Sequence, residues 1–193
     1  MTERRRFPGL SPRAYEHPAD RAALVALRKV PGFDLVVRKL FGTIGDRSLR
    51  LAFLASSVRV SERQFAEVHR VYVEACQTLD VDPIPELYVA QTPIVNAGAV
   101  GVDSPFIVIN SGSLQLLSLE ELQFVLGHEL GHVLSGHVLY KTMQRLLMRM
   151  TLLALSVPLG GAALYAISTA LLEWDRKSEL SADRAGLLVV QKP

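Results

Sequence analysis

The chain of 193 residues contains one cysteine, Cys76, and few aromatic residues, which make up 7% of it. A single cysteine excludes a disulfide within the chain and a cysteine-based zinc site, so we expect Cys76 to be a buried, unreactive thiol. No apolar stretch follows the basic residues at the start, which predicts no secretory signal and a cytoplasmic location. The basic residues are not interleaved with aromatic ones in a recognisable motif, so no nucleic-acid partner is expected.

The net charge of +2 is unevenly distributed along the chain. Residues 1–70 carry 14 Lys and Arg against 7 Asp and Glu, whereas the remaining residues carry 7 against 12. A basic front part can meet anionic lipid or an acidic partner, although solvated helix faces explain the same charges. The length suits one domain, or one domain with an arm.

A short motif, H-E-L-G-H, begins at His128 and lies within a helical pattern of apolar residues. Residues four apart share one face of a helix, so His128 and His132 can bind the same zinc ion. Glu129 can then take a proton from a zinc-bound water, which is the chemistry of peptide hydrolysis. Ser118 and Glu121 form a predicted capping box at the start of this helix. The alternative is a pair of core histidines on an ordinary helix.

A catalytic zinc ion needs a third protein ligand, and Glu179 is the best candidate. Glu179 and Asp183 share a face of a predicted helix, so one can bind zinc while the other hydrogen-bonds a ligand histidine. The alternative is an exposed acidic helix face beside Arg176, Lys177 and Arg184, and the spacing alone does not decide between the two. His137 is turned off the ligand face, so a structural role is expected for it.

Together, H-E-L-G-H and the later E-L-S-A-D-R resemble the gluzincin zinc metallopeptidases of the HtpX and Ste-type CAAX-protease superfamily, including its small minigluzincin cores. The resemblance extends over about residues 85–186. It implies one Zn²⁺ per chain and the following roles: zinc ligands His128, His132 and Glu179, general base Glu129, and Asp183 as the residue that orients a ligand histidine, expected to be His128.

The resemblance also points to a substrate-binding segment. Leu87–Ala90 and Phe106–Ile109 are predicted strands, and Asn96, Ala97 and Gly98 lie between them. Members of the superfamily carry a similar Asn-Ala segment on or near an edge strand, where an extended substrate adds as a further strand. Many of them follow it with an aromatic residue, which Gly98 replaces here. The alternative is a plain hairpin rich in small residues.

The chain is predicted to divide into an N-terminal arm and helical segment, 1–82, and a zinc metallopeptidase core, 83–193. The front part is expected to contain an extended arm over 1–18, a helix from Asp20 to Val30, a short helix over 33–41 and a long helix from about Ser61 to Leu79. One hypothesis is that the protein is latent, with the proline-rich arm before Asp20 lying in the active-site cleft.

Residues 151–172 carry no charge and are long enough to cross a membrane. A single crossing would separate the histidines from Glu179, so the sequence instead predicts an apolar helical hairpin at 146–172. In this prediction the metal helix runs on to about Ser156, turns at Pro158–Gly161 and returns toward Glu179. The tip of the hairpin would contact protein, a membrane surface or another subunit.

The predicted fold is α+β and mainly helical, with a small mixed or antiparallel sheet packed on the metal helix and a return helix that carries the glutamate ligand. The predicted function is that of a zinc-dependent endopeptidase acting on extended polypeptide, in protein quality control by analogy with HtpX, in the cytoplasm at the inner face of the membrane. The alternative is a latent or non-catalytic zinc-binding scaffold associated with a membrane. The intact Glu129 favours the enzyme.

Overall fold

The computed structural model describes residues 5–33, 54–101, 103–153 and 161–192, together with a few single residues between 37 and 51. Within them the elements follow one another in this order: α1 (Pro18–Arg28), β1 (Ser57–Arg59), α2 (Ala66–Leu79), β2 (Leu87–Ala90), β3 (Ala97–Val100), β4 (Phe106–Asn110), α3 (Ser111–Leu116), α4 (Leu119–Leu134), α5 (Val138–Leu153) and α6 (Gly161–Val190).

The four strands form one mixed sheet in the order β1–β2–β4–β3. β2 and β4 are parallel, whereas β1 pairs with β2 and β3 pairs with β4 in the antiparallel direction. The strand β3 therefore lies at an edge. One face of the sheet packs, through residues such as Ala99, Ile107 and Ile109, into a core shared with α2, α4 and α6. The predicted α+β class, with a small sheet packed on the metal helix, is confirmed.

The metal helix α4 packs closely against α6 because two glycines face that helix. A Cβ atom on Gly131 would lie 2.6 Å from the Cβ of Ala185, and one on Gly127 would lie 2.7 Å from Val189 Cγ2. These glycines are one turn apart, so together they keep a strip of α4 free of side chains. The close approach sets the distance between the helix that carries His128 and His132 and the helix that carries Glu179.

A second core joins α1, α5 and α6. Its buried residues are large and apolar: Leu27, Phe33, Tyr140, Met143, Leu147, Ile167, Leu171 and Trp174. At the end nearest α4 this core becomes polar, where the buried Asp20 of α1 accepts a hydrogen bond from the Trp174 indole. The N-terminal helix is thus packed onto the same helix that carries Glu179.

The prediction that the metal helix continues to about Ser156 is wrong, because α4 ends at Leu134. Ser135 caps the helix, and Gly136 adopts a φ of +69°, in the left-handed region that glycine favours at helix ends. The separate helix α5 then begins at Val138.

Three further predictions concern the boundaries of elements, and two of them lie largely outside the described residues. The long helix predicted from about Ser61 begins later, at Ala66, and β1 precedes it. Most of the helix predicted over 33–41, and the predicted turn at Pro158–Gly161 up to the start of α6, lie outside the described residues. Among the helices of the described part, none is both long and apolar enough to span a membrane.

Candidate metal centre

The three predicted zinc ligands come together in the structure. His128 and His132 lie on successive turns of α4, with their Nε2 atoms 3.2 Å apart. Glu179 of α6 places its carboxylate 3.2 Å from His128 Nε2 and 3.4 Å from His132 Nε2. One candidate ligand atom from each residue lies within 4.8 Å of the other two. Two imidazole nitrogens and one carboxylate form a donor set suited to a catalytic zinc ion.

The other ring nitrogens of both histidines are already engaged. His128 Nδ1 lies 2.9 Å from Asp183 Oδ1, and His132 Nδ1 lies 3.1 Å from His137 Nδ1. With the ring protons on Nδ1, the Nε2 lone pairs converge on the Glu179 carboxylate. Two converging imidazole lone pairs and a carboxylate are an arrangement that a metal cation stabilises, so the residues present fit a bound metal ion.

The surroundings give the three candidate ligands different proton affinities. Burial lowers the pKa of His132 to about 3, which keeps the ring neutral. Burial also acts to lower the pKa of His128, but the hydrogen bond that the protonated ring donates to Glu179 and the nearby acidic charges outweigh it and raise that pKa. Burial acts to raise the pKa of Glu179, yet its contacts with both histidines and with Lys141 hold it well below its ordinary value. Glu179 is therefore a carboxylate, the form that binds metal.

Glu129, the predicted general base, points toward the edge strand. It is buried, and its Oε2 accepts a hydrogen bond of 2.8 Å from the Ala99 N–H of β3. Burial raises the pKa of Glu129, although His128, the Ala99 N–H, Lys141 and Arg145 oppose that effect. A carboxylate of raised pKa beside a metal centre is suited to accept a proton from water.

Two basic residues of α5 that the sequence reasoning missed also face this centre. Lys141 Nζ lies 2.5 Å from Glu179 Oε1 and 2.7 Å from Asp175 Oδ1, and Arg145 donates a hydrogen bond of 3.0 Å to the Ala99 carbonyl. A helix continuous with α4 would have pointed these side chains elsewhere. Reading Gly136 as a helix end would have identified α5 as a new helix with two basic residues one turn apart.

A cleft of about 440 Å³ opens over these groups between β3, α4 and α6. Asn96 and Ala97 line it, and Gly98 lines a neighbouring cavity of about 360 Å³ between the sheet and α5. None of the described arm residues, 5–17, lines either space. The arm instead runs along α2 and the end of α6, where Phe7 N–H donates to the Thr78 carbonyl and Arg5 N–H to the Gln191 side chain.

The edge strand has backbone groups that point into the cleft. Ala97 and Ala99 lie opposite Ile109 and Ile107 of β4, and the bond from Ala99 N–H to Glu129 shows that the backbone groups of Ala99 point away from β4. Those of Ala97, two residues earlier, point the same way because the pattern of a strand repeats every two residues. Ala99 is engaged by Glu129 and Arg145, which leaves Ala97 as the position where a peptide can pair with β3.

His137 lies underneath the metal centre and is buried. Its Nε2 lies 3.0 Å from Asp20 Oδ2, which also accepts a hydrogen bond of 2.6 Å from Ser181 Oγ. Asp20 Oδ1 accepts a further hydrogen bond of 3.0 Å from Trp174 Nε1. The sequence predicts a structural role for His137 but does not identify its partner, because Asp20 is far away in the sequence.

Comparison with known proteins identifies the family. The model of peptidase family M48 matches residues 62–193, more than half of the chain. The chain is 36% identical over 190 residues to plastoglobule-localized metallopeptidase 48, chloroplastic, of Arabidopsis thaliana, covering 97% of this chain and 54% of that protein. It is 33% identical over 199 residues to protease HtpX homolog 1 of Streptomyces coelicolor, covering 89% of this chain and 65% of that protein.

The chain thus spans between half and two thirds of the length of these two relatives. A shorter match, 40% identical over 95 residues, joins it to the protease HtpX homolog of Kineococcus radiotolerans and covers 48% of this chain and 32% of that protein. No solved structure matches the chain. The family match and the two long alignments agree with each other, and the chain is therefore a member of peptidase family M48, a metallopeptidase family.

Proposed function

We propose that this protein is a zinc-dependent endopeptidase that hydrolyses peptide bonds of extended polypeptide. In this proposal His128, His132 and Glu179 hold one Zn²⁺, and Glu129 is the general base. The observation that carries it is the convergence of two imidazole nitrogens and one carboxylate within 4.8 Å. Zinc is the metal that this donor set favours among those common in peptidases.

When bound, the metal supplies Lewis acidity, which acidifies water and polarises a carbonyl group. Glu129 then accepts the proton of the attacking water and delivers it to the departing amine. The Ala99 N–H holds Glu129 Oε2, so the carboxylate is fixed in the direction of the edge strand. Arg145 places positive charge on the same side of the cleft, where negative charge develops on the substrate carbonyl oxygen.

The substrate is proposed to bind as an additional strand beside β3, along Asn96, Ala97 and Gly98. The backbone groups of Ala97 are its proposed hydrogen-bond partners, because the Asn96 backbone is bonded to Ser113 and Gly98 faces β4. The free edge of β3 supports this mode, because extended peptides pair with exposed strand edges through main-chain hydrogen bonds. A Cβ atom on Gly98 would lie 2.8 Å from a guanidinium nitrogen of Arg145, so glycine leaves room for that side chain at the neighbouring cavity. The cavity is also lined by apolar residues such as Val100, Val108 and Leu146. That cavity gives room for an apolar substrate side chain.

Asp183 is proposed to orient His128. Its carboxylate accepts the Nδ1 proton of His128, and this bond leaves Nε2 free to bind zinc. Because Asp183 lies one turn after Glu179 on α6, a single helix supplies both a ligand and the support of another ligand.

The location is proposed to be cytoplasmic, at the inner face of the membrane, with a role in protein quality control by analogy with HtpX proteases. The apolar hairpin, 146–172, of the predicted core, 83–193, would then contact lipid or another subunit. Its described helices expose apolar side chains, including Tyr165, Met148 and Leu172. Exposed apolar side chains near the end of a helical pair are suited to such a contact.

A latent or non-catalytic zinc-binding scaffold is the second candidate. One contact favours it: the Lys141 ammonium group already neutralises Glu179. A cation in this position competes with a metal ion for the same carboxylate. Loss of the Lys141 contact would then accompany metal binding and activation.

The first experiment measures zinc stoichiometry by elemental analysis of the purified protein, the variant Glu179→Ala and the variant Glu129→Gln. Cleavage of a fluorescently labelled unfolded polypeptide is measured on the same samples. We expect one zinc per chain in the unmodified protein and in Glu129→Gln, little in Glu179→Ala, and cleavage only in the unmodified protein. Stoichiometric zinc without Glu129-dependent cleavage would support the scaffold, and absence of zinc from every sample would overturn the proposal.

A further inference from the structure

The helix α1 lies outside the residues matched by the family model, 62–193, yet it places a carboxylate beneath the metal centre. Asp20 is 2% exposed, and its two oxygens accept hydrogen bonds from His137, Ser181 and Trp174. Three donors around one buried carboxylate form a satisfied polar network inside an otherwise apolar region. His137 connects this network to the metal centre through its contact with His132.

Zinc binding at His132 would set which atom donates and which accepts in each hydrogen bond of this network. If His132 binds zinc through Nε2, its ring proton is on Nδ1, and that proton is donated to His137 Nδ1 over 3.1 Å. His137 then accepts on Nδ1 and carries its own proton on Nε2, which is donated to Asp20 Oδ2 over 3.0 Å. Each step fixes the tautomer of the next ring.

We infer that Asp20 is a positioning residue of the metal centre, which acts through His137 to fix the tautomer and orientation of the ligand His132. This inference rests on the proposed zinc site. Asp20 touches neither metal nor substrate. Its part is to accept the Nε2 proton of His137, so that His137 can only accept from His132.

The ionised state of Asp20 agrees with this part. Burial acts to raise the pKa of Asp20, but hydrogen bonds from His137, Ser181 and Trp174 together hold it below its ordinary value. An ionised carboxylate has no proton to donate, so it cannot reverse the direction of the chain. His137 and Trp174 also pack ring edge to face, with centroids 5.4 Å apart, which fixes the His137 ring plane.

An amide at position 20 would reverse this polarity with almost no change in volume. The Trp174 N–H can only donate, so it would hold the amide oxygen of Asp20→Asn and direct the amide NH₂ toward His137. His137 Nε2 would then accept, and its proton would move to Nδ1, facing the Nδ1 proton of His132. Two donors would oppose each other at 3.1 Å, and His132 could no longer present Nε2 to zinc without strain.

The test compares zinc affinity, measured by competition with a chelating dye, in four proteins: the unmodified chain, Asp20→Asn, Trp174→Phe and the double variant. We expect Asp20→Asn to bind zinc about tenfold or more weakly, as is usual for residues behind a ligand. The double variant should recover most of that loss, because without the indole donor the amide can rotate and offer its oxygen to His137. Thermal unfolding of the metal-free proteins is measured in parallel.

A purely structural role gives a different pattern. Asp20→Asn would then lower the melting temperature of the metal-free protein without changing zinc affinity, and Trp174→Phe would add to the damage. Either result would overturn the inference. If the unmodified protein bound no zinc, the proposed zinc site itself would be wrong, so the two failures are distinguishable.

A second pair of variants covers the case in which Asp20→Asn does not fold. His137→Gln keeps an acceptor for His132 and a donor for Asp20, whereas His137→Leu removes both. Zinc affinity should stay close to that of the unmodified protein in His137→Gln and fall about tenfold in His137→Leu. Equal affinities in the two variants would also overturn the inference.

Discussion

The two histidines of the metal centre are supported in opposite ways. His128 is held by Asp183, whose side chain is 55% exposed and which lies on the same helix as Glu179. His132 is almost completely buried and is held by a buried relay through His137 to Asp20 of the N-terminal helix. The exposed side, His128 with Asp183, is encoded by two short motifs. The buried side, His132 with His137 and Asp20, needs residues from distant parts of the chain. The exposed support should therefore affect mainly metal binding, and the buried support should also affect stability.

The largest effect is expected where the buried side joins the second core. Trp174→Ala should lower the free energy of unfolding by about 3–5 kcal/mol, because it leaves a cavity and removes a donor to Asp20. Leu172→Ala on the same helix is the control, and its exposed side chain predicts a loss below about 1 kcal/mol. Urea unfolding measures both. Similar losses in the two variants would contradict the idea that the buried side is part of the core.

Removing the two supporting carboxylates from the metal-free protein tests the comparison directly. Asp20→Ala should cost about 3 kcal/mol, since three buried donors lose their acceptor. Asp183→Ala should cost less than about 1 kcal/mol, because the Asp183 side chain is 55% exposed to solvent. The free energies come from urea unfolding in the presence of a chelator. Equal costs would mean that the two sides do not differ in the way proposed.

On the exposed side the effect should appear in metal affinity. Asp183→Ala should weaken zinc binding by about 10- to 100-fold, since the Nδ1 proton of His128 loses its acceptor. The loss is measured by competition with a chelating dye at one pH. Arg184→Ala, next to Asp183 and bonded to the Tyr15 carbonyl rather than to the centre, is the matched control. Unchanged zinc affinity in Asp183→Ala would show that Asp183 does not orient His128 for zinc binding.

The smallest effect is expected at the edge of the buried relay. Ser181→Ala removes one donor to Asp20 and one acceptor for the His17 N–H, and should cost about 1 kcal/mol. Ser178→Ala is the control on the same helix, because its buried hydroxyl donates to the Asp175 carbonyl within α6 rather than to Asp20. Its cost should be smaller. A larger loss in Ser178→Ala would show that the relay adds nothing at Ser181.

The exposed side was largely predictable from the sequence. The capping box of Ser118 and Glu121 is present at the start of α4, as predicted. Helical spacing alone brought His128 and His132 to one face. Glu179 and Asp183 needed the resemblance to the gluzincins, because an acidic helix face has the same spacing. Their proposed roles stay predictions, although the structure brings them to the ligand histidines.

The buried side was not predictable, for two physical reasons. Asp20 meets Trp174 and Ser181 across sequence separations of 154 and 161 residues, and periodicity reports only local structure. The apolar pattern of α4 also continues past Leu134, so hydrophobicity alone does not predict the helix end at Gly136. Without that helix end, the sequence does not predict that Lys141 and Arg145 of α5 line the cleft.

The bond between Asp20 and Ser181 also has a consequence for the order in which the protein assembles. It joins residues 161 positions apart, so it can form only after the chain from α1 to α6 has been synthesised and the two helices have met. Contacts of such long range are slow to form, because the entropy of closing the loop is lost before the contact stabilises it. We therefore expect high metal affinity only after α1 has docked onto α6. Zinc uptake would then report that α1 and α6 have come together.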